Sequence, residues 1–157
     1  MKFLVTKDLA YSKLLSYLMS SVVIVILMYV ILDVVMHSYI IGSDIPSIKS
    51  TLFGNIENFE EPILIDSLLL QVHIDLFMTL FALLILSAIY IRLYSNTPSV
   101  KVMVHSLFLL GIASPIFLLI TYFWVEIFVY LWLVSFLLWH IVAFIISLMI
   151  LKRLDFK

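Results

Sequence analysis

Hydrophobic and polar positions fall in long blocks along this chain. Four apolar runs, at about Leu14–Ile41, Ile63–Tyr94, Val102–Phe123 and Ile127–Leu151, are interrupted by one polar stretch, one short turn and one glutamate. Crossing roughly 30 Å of hydrocarbon takes about 20 apolar residues in a helix. Helices are the open-ended way to do it, because lipid offers no partner to an unpaired backbone group. The pattern predicts an all-α, polytopic protein, with four transmembrane helices forming an up-down bundle in one domain over residues 1–157. The break between the last two spans is inferred from length, since LLITYFWVEIFVYLW has only Glu126 to mark it.

The polar stretch 42–62, GSDIPSIKSTLFGNIENFEEP, holds glycine, proline and asparagine at turn spacing and is expected to be the one long loop. It carries Asp44, Glu57, Glu60 and Glu61 against a single Lys49, and Glu57, Glu60 and Glu61 are expected to form a solvated face. Basic residues sit at the opposite ends of the spans: Lys2, Lys7 and Lys13 before the first, Arg92 and Lys101 around the SNTPS turn, and LKRLDFK at the end. The positive-inside rule then puts both termini in the cytoplasm and the acidic loop outside. This is the topology expected of a multi-pass protein in a prokaryotic cytoplasmic membrane. Tyr122, Trp124, Tyr130 and Trp132 cluster about the Glu126 turn as an aromatic belt would.

Composition agrees with a lipid environment: 65% of the 157 residues are hydrophobic and 12% charged, against about a quarter charged in soluble domains. The basic start has no small-residue cleavage site and its apolar run is too long for a signal core, so it is expected to stay as the first span. A net charge of -1 without a basic stripe excludes a nucleic-acid partner. With no cysteine, neither disulfides nor thiolate metal sites can form. No phosphate-binding loop or nucleophile motif is present, and no catalytic residue is expected.

The informative residues are the few polar ones inside the spans. Tyr29, Asp33 and His37 are spaced i, i+4, i+8 and form one stripe on the first helix. On the second helix His73 shares a face with Asp66, while Gln71, Asp75 and Thr79 line the other. Counting 1.5 Å per residue from the basic end of each span puts Asp33 at about 30 Å, His37 at about 36 Å, His73 at about 28 Å and Asp75 at about 26 Å. On the same count His140 lies about 18 Å up and His105 about 6 Å. Asp33, His37 and His73 are therefore expected to meet, and His140 to lie apart near the middle. Gly111, Ala113 and Ser114 should let the third helix approach a neighbour closely, and Pro115 should kink it.

Three uses of these residues stay open. One is a hydrogen-bonded clasp between helices, with no cofactor. Another is a divalent metal held by Asp33, His37 and His73. The third is haem b, with ligands drawn from His37, His73 or His140, although the counted depths bring no two of these imidazoles level. The span QVHIDLFMTLFALLILSAIYIRL resembles helices of haem-bearing respiratory membrane proteins through its one histidine. Polar groups on two faces of the second helix imply cover by other membrane subunits or by another copy. The expected function is a non-catalytic accessory or structural subunit of a larger membrane complex, such as a respiratory one. The alternatives are a haem- or metal-binding electron carrier and a component of an oligomeric transporter.

Overall fold

The computed structural model describes residues 13–95 and 97–155. Lys2 and Lys7 lie outside them. Among the described residues the chain forms five helices: α1 Lys13–Ile40, α2 Ile45–Phe53, α3 Ile65–Leu93, α4 Ser99–Phe123 and α5 Phe128–Asp155. Four of them, all but α2, are long and apolar enough to cross a membrane. Their bounds fall within a few residues of those expected from the apolar runs.

The 42–62 stretch differs from expectation, because its middle is helix. Asp44 is the reason: its carboxylate accepts the Ser47 N–H at 2.8 Å, the Ser47 hydroxyl sits 3.3 Å from the Asp44 N–H, and Pro46 occupies the first turn. That is a capping box with serine in the third position, where glutamate or glutamine is usual. Gly54 ends the helix at φ +79, where a Cβ would come within 2.9 Å of the Glu60 carbonyl. The apolar face of α2 buries Ile48 and Leu52 against Ile41, Leu68, Leu118 and Val129. Glu57, Glu60 and Glu61 are exposed, as a solvated face requires.

α5 lies against all four other helices. Its buried positions, from Val129 through Trp132, Phe136, Trp139, Ala143, Ile146 and Ile150 to Leu154, recur every three or four residues. Most of the apolar surface of α1 faces outward, as a lipid-facing helix would have it. α4 runs unbroken through Pro115, and Gly111 brings it against α3: a Cβ there would meet Leu83 at 3.0 Å and Thr79 at 3.1 Å. Such close approach through a small residue is how helices pack where burial from water supplies no drive.

Contacts tie the chain at both ends. At one, the Ser16 hydroxyl reaches the Leu154 carbonyl at 3.5 Å, the Tyr94 hydroxyl donates to the Met149 carbonyl, and the Arg153 guanidinium covers the Tyr94 ring at 4.6 Å. At the other, Lys49 of α2 pairs with Glu126 at 2.6 Å and the Tyr122 hydroxyl donates to the Ile63 carbonyl. Apolar side chains form two separate cores, one toward each end. Between them lies a polar layer.

Candidate functional site

The polar layer is built from α1, α3 and α5. The α1 stripe forms as its spacing dictates: His37 is buried, and Tyr29 and Asp33 are partly buried on the same face. On α3 the inward face is the one carrying Asp75 and Thr79, with Gln71 at its edge. α5 supplies His140 together with Phe136, Trp132 and Trp139.

Four ionisable side chains meet in sequence. The Gln71 amide donates to Asp75 Oδ1 at 2.8 Å. Asp75 Oδ2 lies 2.9 Å from His37 Nε2. His37 Nδ1 donates to the Asp33 carbonyl at 2.9 Å and also lies 3.5 Å from Asp33 Oδ1. Asp33 Oδ2 lies 3.0 Å from His140 Nε2, whose Nδ1 donates to the Phe136 carbonyl at 2.7 Å. The Phe136 ring packs against both imidazoles, at 4.6 Å from His37 and 4.2 Å from His140.

This pattern fixes the protons. A carbonyl only accepts, so Nδ1 of each histidine must carry a hydrogen. One further proton then lies in each Nε2–carboxylate bond. Whichever atom holds it, imidazolium with carboxylate or imidazole with carboxylic acid, each His–Asp pair is neutral overall. A buried polar group is tolerated when its hydrogen bonds are satisfied in this way. The Tyr29 hydroxyl departs from the rule, being buried without a hydrogen-bond partner.

His73 is not part of this site. It is exposed, together with Asp66, on the outward face of α3. Of the residues expected to bind metal, Asp33 and His37 come together and Asp75 takes the place given to His73. The stripe on α3 had two candidate faces, and the one holding Asp75 and Thr79 points inward, where Thr79 packs beside Gly111 of α4.

His140 departs from expectation in the opposite sense, bonding to Asp33 although the depth count separates them by about 12 Å. The basic residues taken as zero are not level. Ser16 touches Leu154, and from that contact Asp33 lies about 25 Å up α1 and His140 about 21 Å up α5. Side-chain length covers the rest. His105 is exposed, its Nδ1 donating to the Lys101 carbonyl at 2.8 Å.

The site does not fit haem. Both Nε2 atoms face carboxylates, the Phe136 ring stands against each imidazole, and the cavity at the cluster is about 10 Å³. The aromatic residues expected in an interfacial belt also divide. Trp124 is exposed, while Trp132 is buried and walls this cavity.

Outside the long apolar helices, two groups are held by their neighbours. The Ser47 hydroxyl, and then its N–H, hold the Asp44 carboxyl below the usual carboxylate range. A hydrogen bond to Glu126 raises the Lys49 ammonium above its ordinary value. Compared with known proteins, the chain matches no family, no curated protein and no solved structure.

Proposed function

We propose that this chain has no catalytic activity of its own and serves as a structural or accessory subunit of a larger membrane assembly. In this reading it is a multi-pass protein of a prokaryotic cytoplasmic membrane. The end of the bundle carrying Lys13, Arg92, Lys101 and Lys152 faces the cytoplasm, with both termini, and α2 faces outward. The grouping of those basic residues at one end and of the Lys49–Glu126 pair at the other supports that orientation.

The observation that carries the reading is His73. It is exposed on α3 among the exposed Leu69, Leu70, Ile74 and Phe77, about 12 Å along the helix from its first residue. Ionisable side chains in membrane helices face a bundle interior or a cavity, because lipid cannot solvate them. A second protein, or a second copy of this one, would supply that interior. The buried His–Asp pairs act in this reading as a clasp, each interhelical bond contributing roughly 0.6 to 2 kcal/mol to the rotation and register of α1, α3 and α5.

A photo-crosslinking residue placed at His73 is expected to capture another membrane subunit or a second copy when the cells are illuminated. Mild detergent extraction is expected to release a particle larger than one chain. A monodisperse single chain that gives no crosslink from position 73 would overturn the proposal.

A further inference from the structure

We propose that Asp33, His37 and Asp75 form a binding site for one divalent transition-metal ion of the zinc, manganese or ferrous-iron class, set between α1 and α3. One ligand atom from each residue lies within 4.8 Å of the other two. A tetrahedral ion holds nitrogen and oxygen ligands at roughly 2.0 to 2.2 Å, so a shift of about 1 Å closes the set around it.

Three features set this arrangement apart from a clasp alone. First, each donor is held from behind by a different group. The Asp33 carbonyl accepts from His37 Nδ1, the Gln71 amide bonds Asp75 Oδ1, and His140 Nε2 meets Asp33 Oδ2. Metal ligands are oriented by such outer partners, and an imidazole whose Nδ1–H is bonded to a carbonyl is in the tautomer that presents Nε2 to a metal.

Second, the three side chains line a cavity of about 10 Å³ shared with Thr79 and Ser114. That is the space of about one water or one small ion. Thr79 and Ser114 add hydroxyl-bearing residues to the lining of the cavity, and Phe136 with the tryptophans adds apolar ones.

Third, the donor set is selective. With the His37–Asp75 proton displaced and the Asp33–His140 proton kept, the donor set offsets one of the ion's two charges. Its one imidazole favours zinc or iron over calcium and magnesium, which take oxygen donors, and its carboxylates also suit manganese. Sulfur is missing from the set, which disfavours cuprous copper. Entry of the ion displaces the proton shared by His37 Nε2 and Asp75.

The test uses the full chain in detergent, stripped with a chelator and titrated with zinc or manganese, with bound metal measured after gel filtration. The expected result is about one ion per chain. Asp75→Asn keeps the shape and can still hydrogen-bond to His37 Nε2, so a purely structural role predicts a folded protein with unchanged behaviour. The metal site predicts the same fold with binding lost. Gln71→Ala, which removes only a supporting contact, is expected to weaken binding roughly 10- to 100-fold. His73→Ala and His105→Ala should leave it unchanged. Absence of stoichiometric zinc and manganese from the folded wild type, equal binding by Asp75→Asn, or loss of binding on removing the exposed histidines would each overturn the proposal.

Discussion

The junction of α1, α3 and α5 and the outward face of α3 carry the same chemistry and use it in opposite ways. At the junction, His37 and His140 are buried with both ring nitrogens engaged, each between a carbonyl and a carboxylate. On the outward face His73 is exposed, a short distance along the same helix from the buried Asp75. Two residues along a helix is about 200° of rotation, so neighbours in sequence end on opposite sides. Which side is inward is settled by packing, through Gly111 of α4 closing on Thr79 and Leu83. Within this bundle, the face a histidine occupies decides its role more than its height does.

The largest effect expected from breaking this contrast comes from Asp33, the carboxylate between both histidines. Asp33→Ala leaves His140 Nε2 buried without its hydrogen-bond partner. Removing one partner of a buried pair costs about 3 to 5 kcal/mol. A marked fall in the detergent denaturation midpoint would register it, while Asp33→Asn should recover part of the loss. Next comes the packing that turns Asp75 inward. Gly111→Val would drive its side chain into Leu83 and Thr79, and overpacking of this kind costs about 1 to 3 kcal/mol. The same denaturation curve checks it.

The smallest effect belongs to the α2 end and depends on pH. The Asp44 carboxyl is held below its ordinary value by Ser47, so its stabilisation of the α2 cap is complete above the ordinary carboxylate value. It is lost as the pH falls through the lowered one. Amide exchange at Ser47 and its neighbours should therefore quicken on acidification below the usual carboxylate range, with no matching change at the buried junction. Asp44→Asn, which retains a capping oxygen, should remove most of that pH dependence.

Much of the architecture is legible in the residues alone, because an apolar run of span length has one structural solution in lipid. The α1 stripe of Tyr29, Asp33 and His37 is equally legible, since i, i+4 spacing alone sets it on one face. Three features are not. α2 is concealed by Gly42, Pro46 and Gly54, which read as turn markers although Asp44 and Ser47 make two of them the borders of a helix. The choice between the His73 and Asp75 faces of α3 depends on contacts with α4, which periodicity does not contain.

The pairing of Asp33 with His140 depends on how α1 and α5 slide past each other. Lysine and arginine side chains are long enough to reach an interface from different helix levels, so the basic ends make a poor zero. The Ser16–Leu154 contact is the better reference, and it becomes visible only once the two helices are side by side.

The bond between Asp33 and His140 is the most direct test of the account, and a double-mutant cycle measures it. Asp33→Ala and His140→Ala, singly and together, should show a coupling of about 1 kcal/mol or more, as groups in contact do. The parallel cycle of Asp33→Ala with His73→Ala should add within about 0.5 kcal/mol. Coupling to His73 and none to His140 would mean that α3 and α5 present the other faces to α1, and the junction described here would be wrong.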